Sequence, residues 1–360
     1  MKITCVVANL GPGGAERVMT YLCGGLAARG HQVTLLTLSN AVADFYAVPE
    51  GVERVRLDLP PFAKAGFWGG FWRLWLMIKA LRRLKPDVLI SFMTVSILGA
   101  ALLLRIPYIY ADHLDVRTCP WSPKWQFLRR VLLRFASRVT VLSERDRKYL
   151  AFYYPQWKTS IIYNPALSAP SGDLPRPDVL AQDQRYVLAV GRLVKQKGFD
   201  YLLEAWRRVC EEFPSWCLCI IGSGPLEAEL KDLAEVLDVQ HSVRFLPPQE
   251  SLAAFYRYSD IYAMTSRTEG FPMVLLEAMA SGLPVVSFAC NGPDVIVRDG
   301  VDGLLVKPGY SELFAKSLAR LMKDEDFRQR LARQAPQVCE RFSLEKYIQS
   351  YEDLCTAARK

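Results

Sequence analysis

The chain has 360 residues and a mass of 40.7 kDa, which excludes a single small binding module and suits two domains of about 150 to 180 residues. With 51% hydrophobic and 23% charged residues it is not a disordered chain. The net charge of +8 is uneven: residues 1–165 carry 22 Lys and Arg against 10 Asp and Glu, and residues 166–360 carry 23 against 27. A basic first half favours nucleic acid, an anionic membrane or a phosphorylated substrate as partner.

Apolar, β-rich segments alternate with helical patterns along the first half. The predicted strands are residues 3–8, 32–38, 87–91, 107–111 and 139–142, and a helix is predicted over 14–29. This alternation predicts a parallel sheet. It stops at a Pro-, Gly- and Ser-rich stretch over 164–177, which predicts a domain boundary after residue 165.

The alternation then restarts. The predicted strands are residues 186–190, 217–221, 243–246, 261–263 and 284–287, with helices over 199–212 and 226–237. We therefore predict an α/β protein with two doubly wound domains, residues 1–165 and 166–342, and a terminal segment, 343–360, with a helix from Glu345 to Ala358. Two such domains predict a ligand-binding cleft at the carboxyl ends of their strands.

The sequence also carries signals about location and metals. It starts with one basic residue and a short apolar run, which lacks the pattern of a signal peptide, and its longest uncharged run, 88–104, is short for a membrane span. Scattered cysteines favour a reducing compartment, so a cytoplasmic protein is expected. The three histidines and nine cysteines form no metal-binding spacing, so we expect no metal and no cofactor.

Residues 67–85 combine aromatic residues with a basic tail. The residues that predict contact with an acceptor or a membrane are Trp68, Trp72, Arg73, Trp75, Lys79, Arg82, Arg83 and Lys85. Such a helix can lie in the headgroup region of an anionic membrane, and the alternative is a helix that packs on the core with a solvated basic face. A second set, Trp121, Trp125, Phe127, Arg129, Arg130 and Arg134, favours the membrane. Neither segment has a nucleic-acid-binding signature, so no nucleic acid is expected.

Each predicted domain has a glycine cluster after its first strand, and glycines there let backbone N–H groups approach an anion. The first cluster includes Gly13, Gly14 and Glu16. In the second, Arg192 and Lys197 stand five residues apart, which suits a diphosphate. A third turn, with Gly222 and Ser223, offers close approach to a base or ribose.

Two carboxylates, Glu269 and Glu277, lie eight positions apart around a predicted helix start near Pro272. The backbone of Phe271, Pro272, Met273 and Val274 would then turn its N–H groups towards phosphate oxygens. The alternative is a helix-capping Glu and a solvated Glu.

These motifs together resemble the retaining glycosyltransferases of family 4. The resemblance is carried by residues 13–16, Gly191-Arg192 with Lys197-Gly198, residues 222–225, the Glu269/Glu277 pair and residues 282–286. It implies the GT-B fold, two Rossmann-like domains that face a cleft, with the last helix crossing back to the first domain.

The resemblance also implies roles for individual residues. Glu277 would hold the ribose of a nucleotide-sugar, Glu269 would contact the sugar hydroxyls, and Arg192 with Lys197 would bind the diphosphate. His113 would be the acceptor-side histidine near the anomeric carbon; from the residues alone it is a surface imidazole at a strand end.

The activity implied by the resemblance is transfer of a hexose or N-acetylhexosamine from a UDP-sugar, UDP-N-acetylgalactosamine favoured, to a polyprenyl-diphosphate-linked saccharide. Together with the basic aromatic helix this predicts a peripheral enzyme at the cytoplasmic face of the plasma membrane. The alternatives are a GDP-mannose-dependent mannosyltransferase, a UDP-sugar epimerase and a non-catalytic nucleotide-binding membrane sensor.

Overall fold

The structure is a computed structural model that describes residues 1–39, 44–59, 66–113, 122–170 and 172–359. The chain forms two compact units. The first contains residues 1–165 together with 344–360, and the second contains residues 166–343. The chain therefore leaves the first unit once and returns to it with its last helix.

Seven parallel strands form the sheet of the first unit. They are β1 (Lys2–Val7), β2 (Gln32–Thr37), β3 (Val52–Arg56), β4 (Val88–Phe92), β5 (Tyr108–Ala111), β6 (Arg138–Val141) and β7 (Thr159–Ile161). Their order across the sheet is β3-β2-β1-β4-β5-β6-β7. The central strands β1 and β4 consist of almost continuous apolar residues, as expected for strands that are covered on both faces.

The helices that follow these strands cover the sheet. They are α1 (Gly14–Ala28), α2 (Gly66–Leu84), α3 (Val95–Leu103), α4 (Pro123–Leu133) and α5 (Glu144–Leu150). The α3 helix packs between α2 and α4. Leu81, Leu98 and Leu133, one from each of these three helices, are fully buried in a shared core with the strands.

The second unit has a six-stranded parallel sheet. Its strands are β8 (Arg185–Val190), β9 (Trp216–Ile221), β10 (Val243–Leu246), β11 (Ile261–Met264), β12 (Val285–Phe288) and β13 (Gly303–Val306). The order β10-β9-β8-β11-β12-β13 repeats the arrangement of the first unit. Strands β9 and β10 are added on one side of β8, and β11 to β13 are added on its other side, so the switch point lies between β8 and β11. Ligands of doubly wound sheets bind at the carboxyl ends of the strands beside such a switch point.

Among the described residues of this unit, eight α-helices accompany the sheet. They are α6 (Phe199–Arg207), α7 (Glu227–Val236), α8 (Ala253–Arg257), α9 (Met273–Ala280), α10 (Pro293–Ile296), α11 (Ser311–Lys323), α12 (Glu325–Gln334) and α13 (Val338–Arg341). Trp206, Phe288 and Phe314 are fully buried and form the centre of the core.

The last helix, α14 (Leu344–Arg359), packs on α1 and on strands β4 and β5 of the first unit. Arg29 forms ion pairs with Glu345 and Glu352, and His31 Nε2 lies 2.8 Å from Glu352 Oε1. A Cβ at Gly25 would lie 2.1 Å from Ile348 Cδ1, so the absence of a side chain at Gly25 allows α14 to lie against α1.

The predicted fold class, two doubly wound parallel α/β domains, is confirmed. Sequence analysis missed β3, β7 and β13, each at the edge of a sheet. All three strands are short, and β3 and β7 are also partly exposed, so they lack the long apolar run of a central parallel strand. In β3, for example, three of the five residues are charged and no residue is buried.

Candidate functional site

Two loops meet at the switch point of the second unit. Residues 191–198 follow β8, and residues 265–272 follow the adjacent parallel strand β11. Arg267 N donates to Gln196 O at 2.8 Å, and Gln196 Nε2 donates to Thr268 O at 2.9 Å. These hydrogen bonds fix the two loops against each other.

An ion pair joins the same two loops. Lys197 Nζ lies 2.7 Å from Glu269 Oε1, and Ser266 Oγ donates to the same oxygen at 2.6 Å. The side chains of Lys197 and Glu269 are only 16% and 9% exposed. A Cβ at Gly191 would lie 3.3 Å from Lys197 Cδ, so Gly191 leaves room for the lysine stem. The structure thus brings together two of the predicted catalytic residues.

Arg192 lies in the same loop and has a different environment. Its side chain is exposed and forms no hydrogen bond or ion pair with any residue in the described part of the chain. Because Glu269 already pairs with Lys197, the uncompensated positive charges of this loop within the described residues are Arg192 and the exposed Lys195. A guanidinium of this kind can form two parallel hydrogen bonds with phosphate oxygens.

A second ion pair, missed by the sequence analysis, joins the loop after β11 to α6. Arg267 Nη1 lies 2.8 Å from Asp200 Oδ1 and donates to Lys195 O at 2.7 Å. The hydrogen bond to Asp200 raises the pKa of Arg267. Burial alone would raise the pKa of Asp200, but the hydrogen bond and charge of Arg267 outweigh it and lower that pKa. The available sequence signal was an Arg two residues before Glu269.

The α9 helix begins at Met273, directly after Pro272, as predicted. The amides of Leu275 and Leu276 donate to Pro272 O at 3.2 and 3.3 Å. The amides of Met273 and Val274 precede these hydrogen bonds and lie at the N-terminal end of the helix. Backbone N–H groups in this position attract anions.

Three side chains of this segment are buried, so these residues offer a ligand mainly their backbone. The side chains of Phe271, Pro272 and Met273 are buried, and the Phe271 ring packs edge-on against Phe342 with 5.1 Å between centroids. Glu277, in the middle of α9, is partly buried and accepts a hydrogen bond from Tyr256 Oη at 3.2 Å. Tyr256 therefore orients one carboxylate oxygen of Glu277, a role that the sequence analysis did not assign.

The turn with Gly222 and Ser223 follows β9. Gly222 has a φ of 156°, and a Cβ there would lie 1.9 Å from Gly191 O. A Cβ at Gly224 would lie 2.4 Å from Leu193 O, and Leu193 N donates to Ser223 O at 2.8 Å. These glycines are therefore required for the approach of this turn to the loop that carries Arg192, and Ser223 itself is exposed.

In the first unit, Gly13 precedes α1 and Gly14 is its first residue. A Cβ at Gly13 would lie 2.0 Å from Glu16 Oε2, so the Glu16 carboxylate covers the first turn of its own helix. The positive end of the helix dipole stabilises a carboxylate there. A phosphate group that used these amides would first have to displace Glu16.

His113 follows β5 in the first unit, and its ring stacks on Phe92 with 4.1 Å between centroids. Burial lowers the pKa of His113 to about 3, although the Asn164 side chain opposes part of the shift. The imidazole is therefore neutral at pH 7, and it can donate or accept a hydrogen bond but brings no positive charge. The adjacent Asp112 is paired with Arg129, which holds the end of β5 against α4.

The α2 helix has one buried and one exposed face. Met77 and Leu81 lie on the buried face with Arg73, so the prediction that Arg73 belongs to the membrane-facing set is wrong: its spacing of four from Met77 turns it towards the core. The exposed side chains are Phe71, Trp72, Trp75, Lys79, Arg82 and Arg83, followed by Lys85. The side chain of Trp68 and the whole of Trp121 lie outside the described residues.

Side chains on the exposed face of α2 contact one another. The rings of Trp72 and Trp75 stack with 4.9 Å between centroids, and Lys79 Nζ lies 5.3 Å from the Trp75 centroid. No helix within the described residues is long and apolar enough to cross a bilayer.

Two doubly wound units, the second with an arginine and a helix N-terminus at its switch point, define the GT-B architecture of glycosyltransferases. Domain models agree: the model for Glycosyltransferase Family 4 matches residues 12–166, and the model for Glycosyl transferases group 1 matches residues 173–338.

Relatives that align over nearly the full length of both chains extend this match. The amylovoran biosynthesis glycosyltransferase AmsD of Erwinia amylovora is 31% identical over 350 residues, 95% of both chains. The Campylobacter jejuni α-1,4-N-acetyl-D-galactosaminyltransferase that acts on an undecaprenol-diphosphate-linked saccharide is 29% identical, over 96% of this chain and 95% of its own. The crystal structure of Anabaena HepE with UDP has the same fold, with a TM-score of 0.80 and 21% identity over 99% and 100% of the two chains. The chain belongs to the family 4, group 1 glycosyltransferases.

Proposed function

We propose that this glycosyltransferase moves a hexose or N-acetylhexosamine from a UDP-sugar to a polyprenyl-diphosphate-linked saccharide, with retention of configuration at the anomeric carbon and without a metal. The observation that carries the proposal is the Lys197–Glu269 pair beside the unpaired Arg192 at the switch point of the second unit. The Campylobacter relative, named for N-acetylgalactosamine transfer to a lipid-linked saccharide, supports UDP-N-acetylgalactosamine as the favoured donor.

The donor half of the reaction follows from the charges at this site. Cleavage of the bond between the anomeric carbon and the diphosphate oxygen leaves negative charge on the departing UDP. Arg192, Lys197 and the amides of Met273 and Val274 would stabilise that charge as it develops. Such fixed positive groups take over the role that a metal ion has in other transferases, which is why no metal is required.

The two glutamates would bind the neutral parts of the donor. Glu277, held at one oxygen by Tyr256, would accept hydrogen bonds from the ribose hydroxyls. Glu269 would accept hydrogen bonds from sugar hydroxyls through the oxygen that faces away from Lys197. A buried carboxylate gives a strong and directional hydrogen bond to a hydroxyl.

Retention requires that the acceptor attack from the face that the diphosphate leaves. The acceptor hydroxyl would lose its proton to the departing phosphate oxygen while its own oxygen bonds to the anomeric carbon. Neutral His113 would contribute a hydrogen bond to the sugar and no charge, because burial keeps its pKa far below 7.

The acceptor half rests on the first unit. A lipid-linked acceptor requires contact with a membrane, and the exposed face of α2 combines aromatic residues suited to the headgroup region with cations suited to anionic lipid. We place the enzyme peripherally at the cytoplasmic membrane face, where nucleotide-sugars are available.

The test is release of UDP and GDP over a panel of nucleotide-sugars, with and without a polyprenyl-diphosphate disaccharide, beside Glu269→Ala. Acceptor-dependent UDP release that Glu269→Ala abolishes is the expected result. Release from GDP-mannose alone would contradict the proposed donor, and a mannosyltransferase would take its place. Epimerised sugar without acceptor would favour an epimerase, and tight UDP binding without any turnover would favour a sensor.

A second experiment tests the membrane contact. Replacing Arg82, Arg83 and Lys85 with Glu is expected to weaken binding to anionic vesicles and to reduce turnover of the lipid-linked acceptor, because each added Glu repels the surface. UDP binding should not change. An equal loss of UDP binding would contradict the assignment of these residues to the acceptor side.

A further inference from the structure

A second exposed aromatic surface lies in the first unit, on α4 and on the residues that precede the edge strand β7. It consists of Phe127 and Val131 on α4, Phe135 after α4, and Phe152, Tyr153 and Trp157 before β7, and we call it the α4 edge. Phe127 is 69% exposed, Phe135 58%, Phe152 84% and Trp157 65%. In a water-exposed surface such rings are expected singly, whereas here six apolar side chains are grouped.

The two segments of the α4 edge are in direct contact. The Arg130 guanidinium lies 4.6 Å from the centroid of the Tyr153 ring, and Tyr154 Oη donates to Arg130 O at 3.2 Å. Lys158 Nζ donates to Arg134 O. The aromatic residues of both segments therefore form one continuous surface.

Cations border this surface and acids are absent from its segments. Arg130 on α4 and Arg134 directly after it are exposed, and Arg138 and Lys158 lie 5.4 and 5.9 Å from the Trp157 ring. No Asp or Glu occurs in residues 122–143 or 147–172. The surface thus has the composition that favours the headgroup region of an anionic bilayer: amphipathic rings with positive charges around them.

Exposed large hydrophobic side chains are concentrated in this part of the first unit. Seventeen large hydrophobic side chains are exposed in the described residues, and eleven of them lie on α2, α3, α4 or residues 135–157. The helices α2, α3 and α4 contain no acidic residue, and α3 packs between the other two. A second copy of this chain would meet this surface with the same positive charge, so self-association is disfavoured.

We propose that the α4 edge is a second membrane anchor, which contacts anionic lipid together with α2 on the other side of α3. Two separate anchors would hold the first unit in one orientation on the bilayer, whereas a single helix leaves rotation about its own axis free. The inference rests on the proposed membrane-bound acceptor, but binding to vesicles without donor or acceptor tests it independently of transfer.

The test is co-sedimentation of the full chain with vesicles of phosphatidylcholine containing 30% phosphatidylglycerol, a fraction of about one anionic lipid in three. Phe152→Ser with Trp157→Ser is expected to weaken binding about tenfold, because two rings no longer leave water. Arg134→Gln is expected to weaken it about fivefold. A matched control, Val236→Ser with Leu313→Ser, removes two exposed apolar side chains from the second unit and should bind as the wild type does.

Two further measurements separate the α4 edge from α2 and from misfolding. Quenching of tryptophan fluorescence by phosphatidylcholine brominated near the headgroup should be reduced in Trp157→Phe, because this residue would lie in the bilayer. Thermal unfolding without vesicles should be the same for all variants, since the replaced side chains are exposed.

Wild-type vesicle binding by both the Phe152/Trp157 and Arg134 variants, with unchanged quenching in Trp157→Phe, would overturn the inference. That result would leave the α2 contact and the transfer reaction standing. Equal weakening by the control variant would also overturn it, because binding would then depend on apolar surface in general.

Discussion

Lys197 Nζ and Glu269 Oε1 lie 2.7 Å apart and join the loop after β8 to the loop after β11. The two residues are 72 positions apart in sequence, and parallel pairing of the two strands brings them together. Ser266 donates to the same carboxylate oxygen, so both charges are held in fixed geometry before any ligand binds. The proposed donor site is therefore built on an internal ion pair.

Removing one member of this pair should destabilise the protein. Lys197→Met leaves the mostly buried Glu269 carboxylate without its cation, and we expect a loss of about 3 kcal/mol in the free energy of unfolding. Adding Glu269→Gln to that variant should restore part of the loss, because no buried charge is then left alone. Urea unfolding of the two single variants and the double variant measures this coupling. Additivity within about 0.5 kcal/mol would show that the pair is not coupled.

Gly198 should tolerate no side chain. Its φ is 65°, and a Cβ would lie 2.1 Å from the Thr265 carbonyl oxygen, which belongs to the backbone and cannot move independently. Gly198→Ala is expected to lower the free energy of unfolding by about 3 kcal/mol, from strain and from displacement of the Lys197 loop.

A matched control exists in α2, where a Cβ at Gly70 would have no atom of the described residues within 4 Å. Gly70→Ala should raise the free energy of unfolding by about 0.5 to 1 kcal/mol, because alanine favours a helix interior. Thermal unfolding of both variants checks the pair of predictions. Equal stability of Gly198→Ala and wild type would contradict the close approach of the two loops.

His113 should make stability depend on pH. Burial lowers its folded-state pKa to about 3, whereas an unfolded histidine has a pKa of about 6.5. The unfolded chain therefore binds more protons between these values, so stability is fully present above pH 6.5 and is lost as pH falls. Between pH 7 and pH 5 the loss from this residue is about 2 kcal/mol.

The measurement is urea unfolding of wild type and His113→Gln at pH 7 and pH 5. The glutamine variant keeps a polar side chain but cannot titrate, so its stability should change less between the two pH values. An identical change in both proteins would mean that His113 is charged or solvated in the folded state.

Tyr256→Phe should weaken donor binding with little effect on the chemical step. The variant removes the hydrogen bond that orients Glu277 Oε2, and loss of a bond to a charged group predicts an increase of about tenfold in the KM for the nucleotide-sugar. The kcat should stay within about twofold, because Tyr256 does not touch the reacting atoms.

Tyr258→Phe provides the control, since its hydroxyl donates to a backbone oxygen, that of Leu174, at 2.7 Å. It should leave KM and kcat unchanged. A decrease in kcat with unchanged KM in Tyr256→Phe would argue against a role in positioning Glu277.

The sequence alone determined the repeating pattern of the fold. Central parallel strands are buried on both faces, so β1, β4, β8 and β9 are recognisable as continuous apolar runs, and turns between strands and helices are marked by glycine. It also predicted Arg192, Lys197, Glu269 and Glu277 as site residues, the first two from a glycine-bounded turn after a strand and the two glutamates from their spacing around a helix start, and their roles stay predictions. The edge strands β3 and β7 could not be predicted this way, since they are partly exposed and contain polar residues, whereas the edge strand β10 was predicted as residues 243–246.

Only the tertiary structure decided which of these residues meet. That Glu269 contacts Lys197, that Tyr256 holds Glu277 and that Glu16 covers its own helix depends on strand order and on loop geometry, which a local pattern does not contain. The same is true of Arg73, whose charge suggests the surface but whose position on α2 turns it inward. The physical reason is that local patterns fix which residues are apolar or helical, whereas contacts between distant loops are set by packing of the whole sheet.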